Sequence, residues 1–361
     1  MNKPKSKIAI ISQSLGGGGA ERAAGLLSIM LDNLGFEIHH IIIEDLVDYD
    51  YNGVVFSLEK NANGSRFQKK IRKSLLMRNY LSDQKIDIII ENRPRNLFFR
   101  DFISKIIFGS RKKYYIIHSY KLENYLPNSA SLAKLLYGNA EKLICVSQAI
   151  AEKVKITYDL QNTVAIYNPV DMSNVSIVKP TDVPEKYILF FGRLQEKVKN
   201  FTLMLEAFAL SGVQKSGLKL VILGDGPDRN FIEKKISELQ LTDSVVLLPF
   251  RKNPYDYVAY AKFSILTSYY EGFPMSVIES LALKTPVVSV DCHSGPSEII
   301  VNEYNGLLVP NHDVNALAQA IARFAEDQNL YDICKNNAGK SVAHLSPEMI
   351  AKQWSQILPQ Q

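Results

Sequence analysis

The sequence has little cysteine, one tryptophan and no long apolar run, and each shortage excludes something. Its three cysteines, Cys145, Cys292 and Cys334, are odd in number, far apart and free of any C-x-x-C spacing. Neither a disulfide framework nor a thiolate metal site is expected from them. No apolar stretch reaches the roughly 18 residues that a membrane-spanning helix needs. The basic N-terminus leads into an apolar segment, residues 8–11, that is only a strand's length. A secretory signal is therefore not expected, and the chain is expected in the cytoplasm.

Charge of one sign is also scarce over most of the chain. The net charge is +5, yet residues 60–125 alone hold sixteen Lys or Arg against five acidic residues. That segment carries +11 and leaves −6 for the remainder. Phe67, Leu75, Leu76, Met77, Phe98, Phe99, Phe102 and Phe108 are interleaved with its charges. Such a mixture suits an anionic membrane surface or a lipid-diphosphate acceptor. No nucleic-acid-binding module accompanies the charge, so nucleic acid is not an expected partner. The plainer alternative is a set of amphipathic helices with basic outer faces.

At 361 residues the chain is too long for one typical core, which points to two domains of similar size. Apolar runs at 7–12, 38–43, 86–90, 114–117 and 143–146 alternate with helical patterns. The series restarts after the polar, proline-containing stretch 168–184, with strands expected at 187–191, 219–223, 245–248, 263–267 and 286–290. Nearly all-apolar strands separated by helices argue for parallel, doubly wound sheets. The expected division is 1–170, 171–345 and a last helix, 346–361, that carries Trp354.

The most informative stretch is Y-E-G-F-P-M-S-V-I-E, residues 270–279. Glu271 and Glu279 stand eight residues apart across a glycine–proline turn. Residues 263–268 read as a buried strand, and a helix is expected to start near Pro274. Glu271 then lies beyond the C-terminal end of a strand, where open α/β sheets place ligands. The amides of Gly272, Phe273, Pro274's neighbours Met275 and Ser276, and the helix start would face an anion. A solvated loop glutamate and a helix-surface glutamate are the plainer reading of this pair. Upstream, residues 16–19 form a four-glycine turn between a strand and a helix. It is not a dinucleotide fingerprint, because Glu21 occupies the third glycine's place.

Residues 270–279, with D-C-H-S-G-P-S-E-I-I at 291–300 and N-G-L-L-V-P at 305–310, resemble the donor-binding signature of retaining family 4 glycosyltransferases of bacterial surface-polysaccharide type. The resemblance implies a GT-B fold, two Rossmann-like parallel-sheet domains facing across a cleft. The first domain would bind the acceptor and the second the nucleotide-sugar donor, and the last helix would cross back to the first domain. The run F-G-R-L at 191–194, followed by K-N-F at 199–201, is similar to the family's phosphate-binding element. Arg193 and Lys199 would neutralise the leaving diphosphate without a metal. Lys197 lies within reach of the same pattern. Glu271 would face the sugar hydroxyls and Glu279 the ribose diol. Gly18, Gly19 and Gly224 would lie along the donor, and Arg251 would contact the base. His118, at a strand end, occupies a position where the family carries a histidine facing the sugar. Glu21, Arg93 and Arg95 are the acceptor candidates.

The resemblance further implies a nucleoside diphosphate sugar, UDP-linked, with no separate cofactor, since no Asp-x-Asp pair accompanies the donor motifs. The implied acceptor is a glycan or lipid-linked glycan, met by a cytoplasmic enzyme peripheral on the inner face of the membrane. Two rivals stay open. One is a sugar-nucleotide epimerase or hydrolase of the same fold, and the other is a non-catalytic basic glycan- or membrane-binding module.

Overall fold

The computed structural model describes residues 5–62, 65–95, 97–173 and 175–360, without the side chains of Arg66 and Phe67. The expectation for Phe67 thus lies outside the described residues. The chain forms two compact units, Met1–Pro169 with Pro347–Gln361, and Val170–Ser346.

The first unit holds β1 (Lys7–Ser12), α1 (Gly19–Asn33), β2 (Glu37–Ile42), β3 (Val54–Ser57), α2 (Arg66–Asp83) and β4 (Ile88–Glu91). It continues through α3 (Phe98–Phe108), β5 (Lys112–Ile117), α4 (Ala130–Tyr137), β6 (Lys142–Cys145), α5 (Gln148–Tyr158) and β7 (Thr163–Ala165). The seven strands pair in the order β3-β2-β1-β4-β5-β6-β7, all parallel. Strands such as KIAIIS and IIIE are apolar at nearly every position because helices cover both faces. Strand addition reverses direction between β1 and β4, which opens a crevice at their C-terminal ends.

The second unit repeats the plan. It holds β8 (Tyr187–Phe191), α6 (Glu196–Lys199), α7 (Phe201–Ser211), β9 (Lys219–Leu223), α8 (Arg229–Glu238) and β10 (Val245–Leu248). There follow α9 (Tyr255–Tyr260), β11 (Phe263–Leu266), α10 (Met275–Ala282), β12 (Val287–Asp291), α11 (Pro296–Ile299), β13 (Gly306–Pro310), α12 (Val314–Glu326) and α13 (Gln328–Ser341). The parallel order is β10-β9-β8-β11-β12-β13, with its reversal between β8 and β11. The last helix, α14 (Pro347–Ile357), belongs to the first unit. There Trp354 is buried, and the Tyr114 hydroxyl of β5 donates to the Ile357 carbonyl at 2.9 Å.

Strands β8, β9 and β10 start and end where their apolar runs predict. The expected list lacks β3, β7 and β13, edge strands of three to five residues with partly exposed positions. One correction concerns the basic segment. Met77 and Phe108 are core residues, not surface aromatics or aliphatics, because α2 and α3 turn those positions onto the sheet.

Candidate functional site

In the second unit the loop after β8 is laced to two others by backbone contacts. Gly192 donates its amide to Leu223, and Leu194 to Asp225, at 3.0 and 2.9 Å. A Cβ at Gly224 would fall 1.9 Å from the Gly192 carbonyl oxygen, so only glycine allows the two loops to lie this close. Glu196 accepts from the amide of Phe201 at 2.7 Å and from the Thr202 hydroxyl at 2.8 Å, which caps α7. Asn200 takes a left-handed conformation between α6 and α7, and Thr267 Oγ1 donates to the Lys199 carbonyl at 2.8 Å. The short turn bearing Lys199 is thereby fixed to the end of β11.

That anchoring brings two expected site residues together. Lys199 Nζ lies 2.6 Å from Glu271 Oε1, and Ser268 Oγ donates to the same oxygen at 2.6 Å. The two charged side chains keep 18% and 12% of their surface exposed. The ammonium has three donors, so a single-point pair leaves capacity for an anion. Thr267 and Ser268 did not stand out in the sequence. Their signal is a buried polar pair at the end of an otherwise apolar strand.

The turn after Glu271 is held from below by the 291–300 run. The His293 carbonyl accepts from the Glu271 amide at 3.2 Å, and Ser294 Oγ donates to the Gly272 carbonyl at 2.7 Å. Gly295 packs its backbone on Pro274, where a Cβ would sit 2.4 Å from the proline ring. Phe273 and Pro274 are buried, whereas Met275 and Ser276, which open α10, are partly exposed. No side chain caps that helix start. Glu279, one turn further on, is a buried carboxylate. Arg193 is exposed on the neighbouring loop, and Lys197 is exposed on α6. Arg251 stands at the end of β10 in an ion pair with Asp182 at 3.1 Å, with its Nε 3.3 Å from the Tyr257 hydroxyl.

The first unit has its own polar cluster at the β1–β4 reversal. The glycine loop is pinned by Leu15, whose amide donates to Leu46 at 2.9 Å and whose carbonyl accepts from Asp48 at 3.0 Å. Gly17 has φ +81°, and Gly18 is the N-cap of α1 with no side chain of its own to cap it, the Glu21 carboxylate lying close against it. Glu21 lies in the first turn and is partly buried. Asn92, beyond β4, donates through Nδ2 to the Ala20 carbonyl at 3.3 Å. Its Oδ1 lies 2.6 Å from His118 Nε2, so that nitrogen carries the proton and Nδ1 is an acceptor. Burial, then the charge of Arg95, pushes the His118 pKa down to about 3, and the ring is neutral. Asn92 and His118, with Asn168, are polar residues lining a small pocket bordered by Ala23 and Leu27 of α1 and by Trp354. Nothing local in the sequence joins positions so far apart.

Arg93 and Arg95, the acceptor candidates, are drawn into the first unit. Arg93 makes a two-point pair with Glu91, Nε to Oε1 at 2.7 Å and Nη2 to Oε2 at 2.6 Å, with side chains 9% and 1% exposed. Burial works against its charge, but Glu91 more than compensates and raises its pKa. Arg95 donates to the carbonyls of Glu91, Arg93 and Ile116, and its guanidinium lies over the rings of Tyr115, Tyr125 and Tyr137. Both cations face inward, because the strand-end glutamate and three tyrosines draw them there. They hold the loop after β4, and these donors are engaged within the first unit.

Both units thus carry a polar cluster at the reversal point of a doubly wound sheet, the arrangement of the GT-B glycosyltransferases. The family model "Glycosyl transferases group 1" matches residues 173–341, and "Glycosyltransferase Family 4" matches 17–174. The chain is 32% identical over 349 residues, 92% of itself and 93% of the other protein, to a Campylobacter jejuni transferase. That protein is described as N-acetylgalactosamine-N,N'-diacetylbacillosaminyl-diphospho-undecaprenol 4-alpha-N-acetylgalactosaminyltransferase. It is 24% identical, over 94% of itself and 96% of the relative, to the amylovoran biosynthesis glycosyltransferase AmsD of Erwinia amylovora. Staphylococcus aureus TarM, solved with fondaparinux, α-GlcNAc-glycerol and UDP, superposes with a TM-score of 0.80 at 16% identity, covering 98% and 99% of the two chains. Anabaena HepE with UDP gives 0.74 at 19%, covering 97% and 98%. The chain belongs to glycosyltransferase family 4. It is a glycosyltransferase, and the epimerase reading falls away.

Proposed function

We propose that the chain transfers a hexose or N-acetylhexosamine, with retention, from a UDP-linked sugar to a glycan or lipid-linked glycan acceptor in surface polysaccharide synthesis. One observation carries this reading: the Lys199–Glu271 pair, placed at the reversal point of the second sheet beside the amides that open α10. Lys199 and Arg193 would hold the diphosphate, and the amides of 273–276 would complete the cradle. Glu271 would accept from sugar hydroxyls, and Glu279 from the ribose diol. Gly224 keeps the donor loop flush, and Arg251 would contact the base. In the first unit Gly18 and Gly19 would offer helix-start amides to an anion and Glu21 would meet the acceptor, while neutral His118 would accept a hydrogen bond at Nδ1 from a sugar hydroxyl.

Chemically, the bond from the anomeric carbon to the diphosphate breaks while the acceptor oxygen bonds to the same face. The acceptor proton passes to the departing phosphate oxygen. Two preorganised cations stabilise the charge that develops there. The relatives support the substrate class: two Campylobacter proteins are described as acting on diphospho-undecaprenol-linked glycans, and two solved neighbours hold UDP. A carrier lipid would place the work at the inner face of the membrane, and no described helix is long and apolar enough to cross it.

A thermal-shift screen of UDP- and GDP-sugars tests the donor, since a ligand at 100 times its Kd adds about 2.7 kcal/mol of stability. Product analysis by NMR then reads the anomeric configuration. The reading fails if no sugar nucleotide stabilises the protein, or if Glu279→Ala and Lys199→Ala both leave donor turnover unchanged.

A further inference from the structure

The helix layer α2–α3–α4 on one face of the first sheet has the wrong polarity for a face turned to water. Right-handed crossovers put these consecutive helices side by side, and α2 packs on α3 and α3 on α4. A surface helix ordinarily turns its apolar stripe to the core. In α3 the residues at i, i+3, i+4 and i+7, namely Phe99, Phe102, Ile103 and Ile106, face outward, Phe99 being 80% and Ile106 65% exposed. The buried positions of the same helix include Asp101. Phe98 stacks on Phe102 with ring centroids 6.2 Å apart, so the aromatic group is already assembled.

The stripe extends across the layer. Ile71 and Leu75 of α2, and Leu132 and Leu135 of α4, are exposed as well. Lys105 of α3 donates to the Leu135 carbonyl and to Asn139, which ties α3 to the end of α4. Charge surrounds this apolar area with one sign. Helix α2 has six basic residues and a single acidic one, Asp83, at its last position. Lys69, Lys70, Arg72 and Arg78 are exposed on it. A second copy of the chain would bring equal charges together, whereas an anionic bilayer supplies opposite charge and an apolar interior at once.

We infer that the outward face of α2, α3 and α4 docks on an anionic lipid surface, with Phe99 and Ile106 entering the headgroup boundary and the α2 cations meeting lipid phosphates. This deepens the proposal of a lipid-linked acceptor by naming the surface that would bring the first unit to it, and it rests on that reading only for its purpose.

Sedimentation of the full chain with vesicles tests it, using phosphatidylcholine alone and phosphatidylcholine with an equal part of phosphatidylglycerol. Binding is expected to the anionic vesicles and to weaken with salt. Phe99→Ser with Ile106→Ser, both solvent-facing, should keep the wild-type melting midpoint and lower partitioning by about tenfold or more. Lys69→Ser and Lys70→Ser should each lower it about fivefold and flatten the salt dependence. Turnover of a sugar nucleotide with a short water-soluble acceptor should not change in any of these variants. The proposal is overturned if the wild type stays in the supernatant, or if the Phe99/Ile106 variant binds like the wild type. A dimer on sizing that this variant dissolves also overturns it, because the face then belongs to a second copy. Vesicle binding without turnover in any protein would sink the transfer reading and leave this one standing.

Discussion

Strands β4 and β11 occupy the same place in their two sheets, and a glutamate at or just beyond the end of each is paired to a cation, with opposite fates. After β4, Arg93 grips Glu91 at two points, and both are buried. After β11, Glu271 is met at one point by Lys199, and both keep contact with solvent. A guanidinium fork matched to one carboxylate in the interior is a closed unit that braces a loop. An ammonium touching one carboxylate oxygen at a reversal point keeps donors for a ligand. Position at a strand end is therefore not enough to mark a binding cation; spare donors and access decide.

The largest effect expected from breaking this contrast is on stability. Arg93→Ala leaves Glu91 buried and unpaired, which should cost about 3–5 kcal/mol by denaturant unfolding, with acceptor KM unchanged per folded molecule. An increase in acceptor KM at full stability would return Arg93 to the acceptor site. Lys199→Ala should behave oppositely, lowering kcat for sugar transfer by about 10²–10³-fold. Lys199→Arg should recover part of that loss. Gly224→Ala drives a Cβ into the Gly192 carbonyl and should destabilise the second unit by about 1–3 kcal/mol, with a weaker donor affinity.

Acid separates the two units further. Burial, followed by the nearby Arg95, brings His118 to about 3; burial, resisted by the Asn52 carbonyl, brings His40 to about 4. Both folded-state values lie below the ordinary histidine value, so the unfolded chain takes up protons first as pH falls. Stability is full above about pH 6.5 and should decline toward pH 4, by roughly 2 kcal/mol per histidine at pH 5. Urea midpoints at pH 7 and pH 5 read this, and His118→Gln should flatten the slope. The smallest effect belongs to Lys197→Ala. Its side chain is exposed, and kinetic constants should stay within about twofold. A large loss there, with Lys199→Ala neutral, would exchange the two lysines.

The fold was legible where strands are unbroken apolar runs. Strands β8, β9 and β10 are continuous apolar runs with polar ends, and their bounds follow from that pattern. Edge strands β3, β7 and β13 pair on one side only and tolerate exposed residues, so their runs are short or broken by glycine, serine or proline, whereas the edge strand β10 keeps four apolar residues in a row. The motifs of the second unit were legible because they are local. Glu271, Pro274 and the 291–300 run lie within thirty positions, and their glycines and prolines mark turns. The cavity bordered by Leu27, His118 and Trp354 left no such mark, because α14 returns to the first unit only in the folded chain.

By itself the sequence determined the alternation of buried strands and helices, the two sheets and the turns that carry Lys199, Glu271 and the glycine loop. Hydrophobic period and turn chemistry are properties of neighbours along the chain. Tertiary structure alone decided which cations are turned inward and which keep access to solvent. The inward fate of Arg93 and Arg95 depends on Glu91, the Ile116 carbonyl and three tyrosines drawn from β5, the loop beyond it and α4. The outward fate of Phe99 and Ile106 depends on how α3 sits over its sheet. Burial is set by what packs against a residue, and periodicity states only that a helix has faces, not which one meets water.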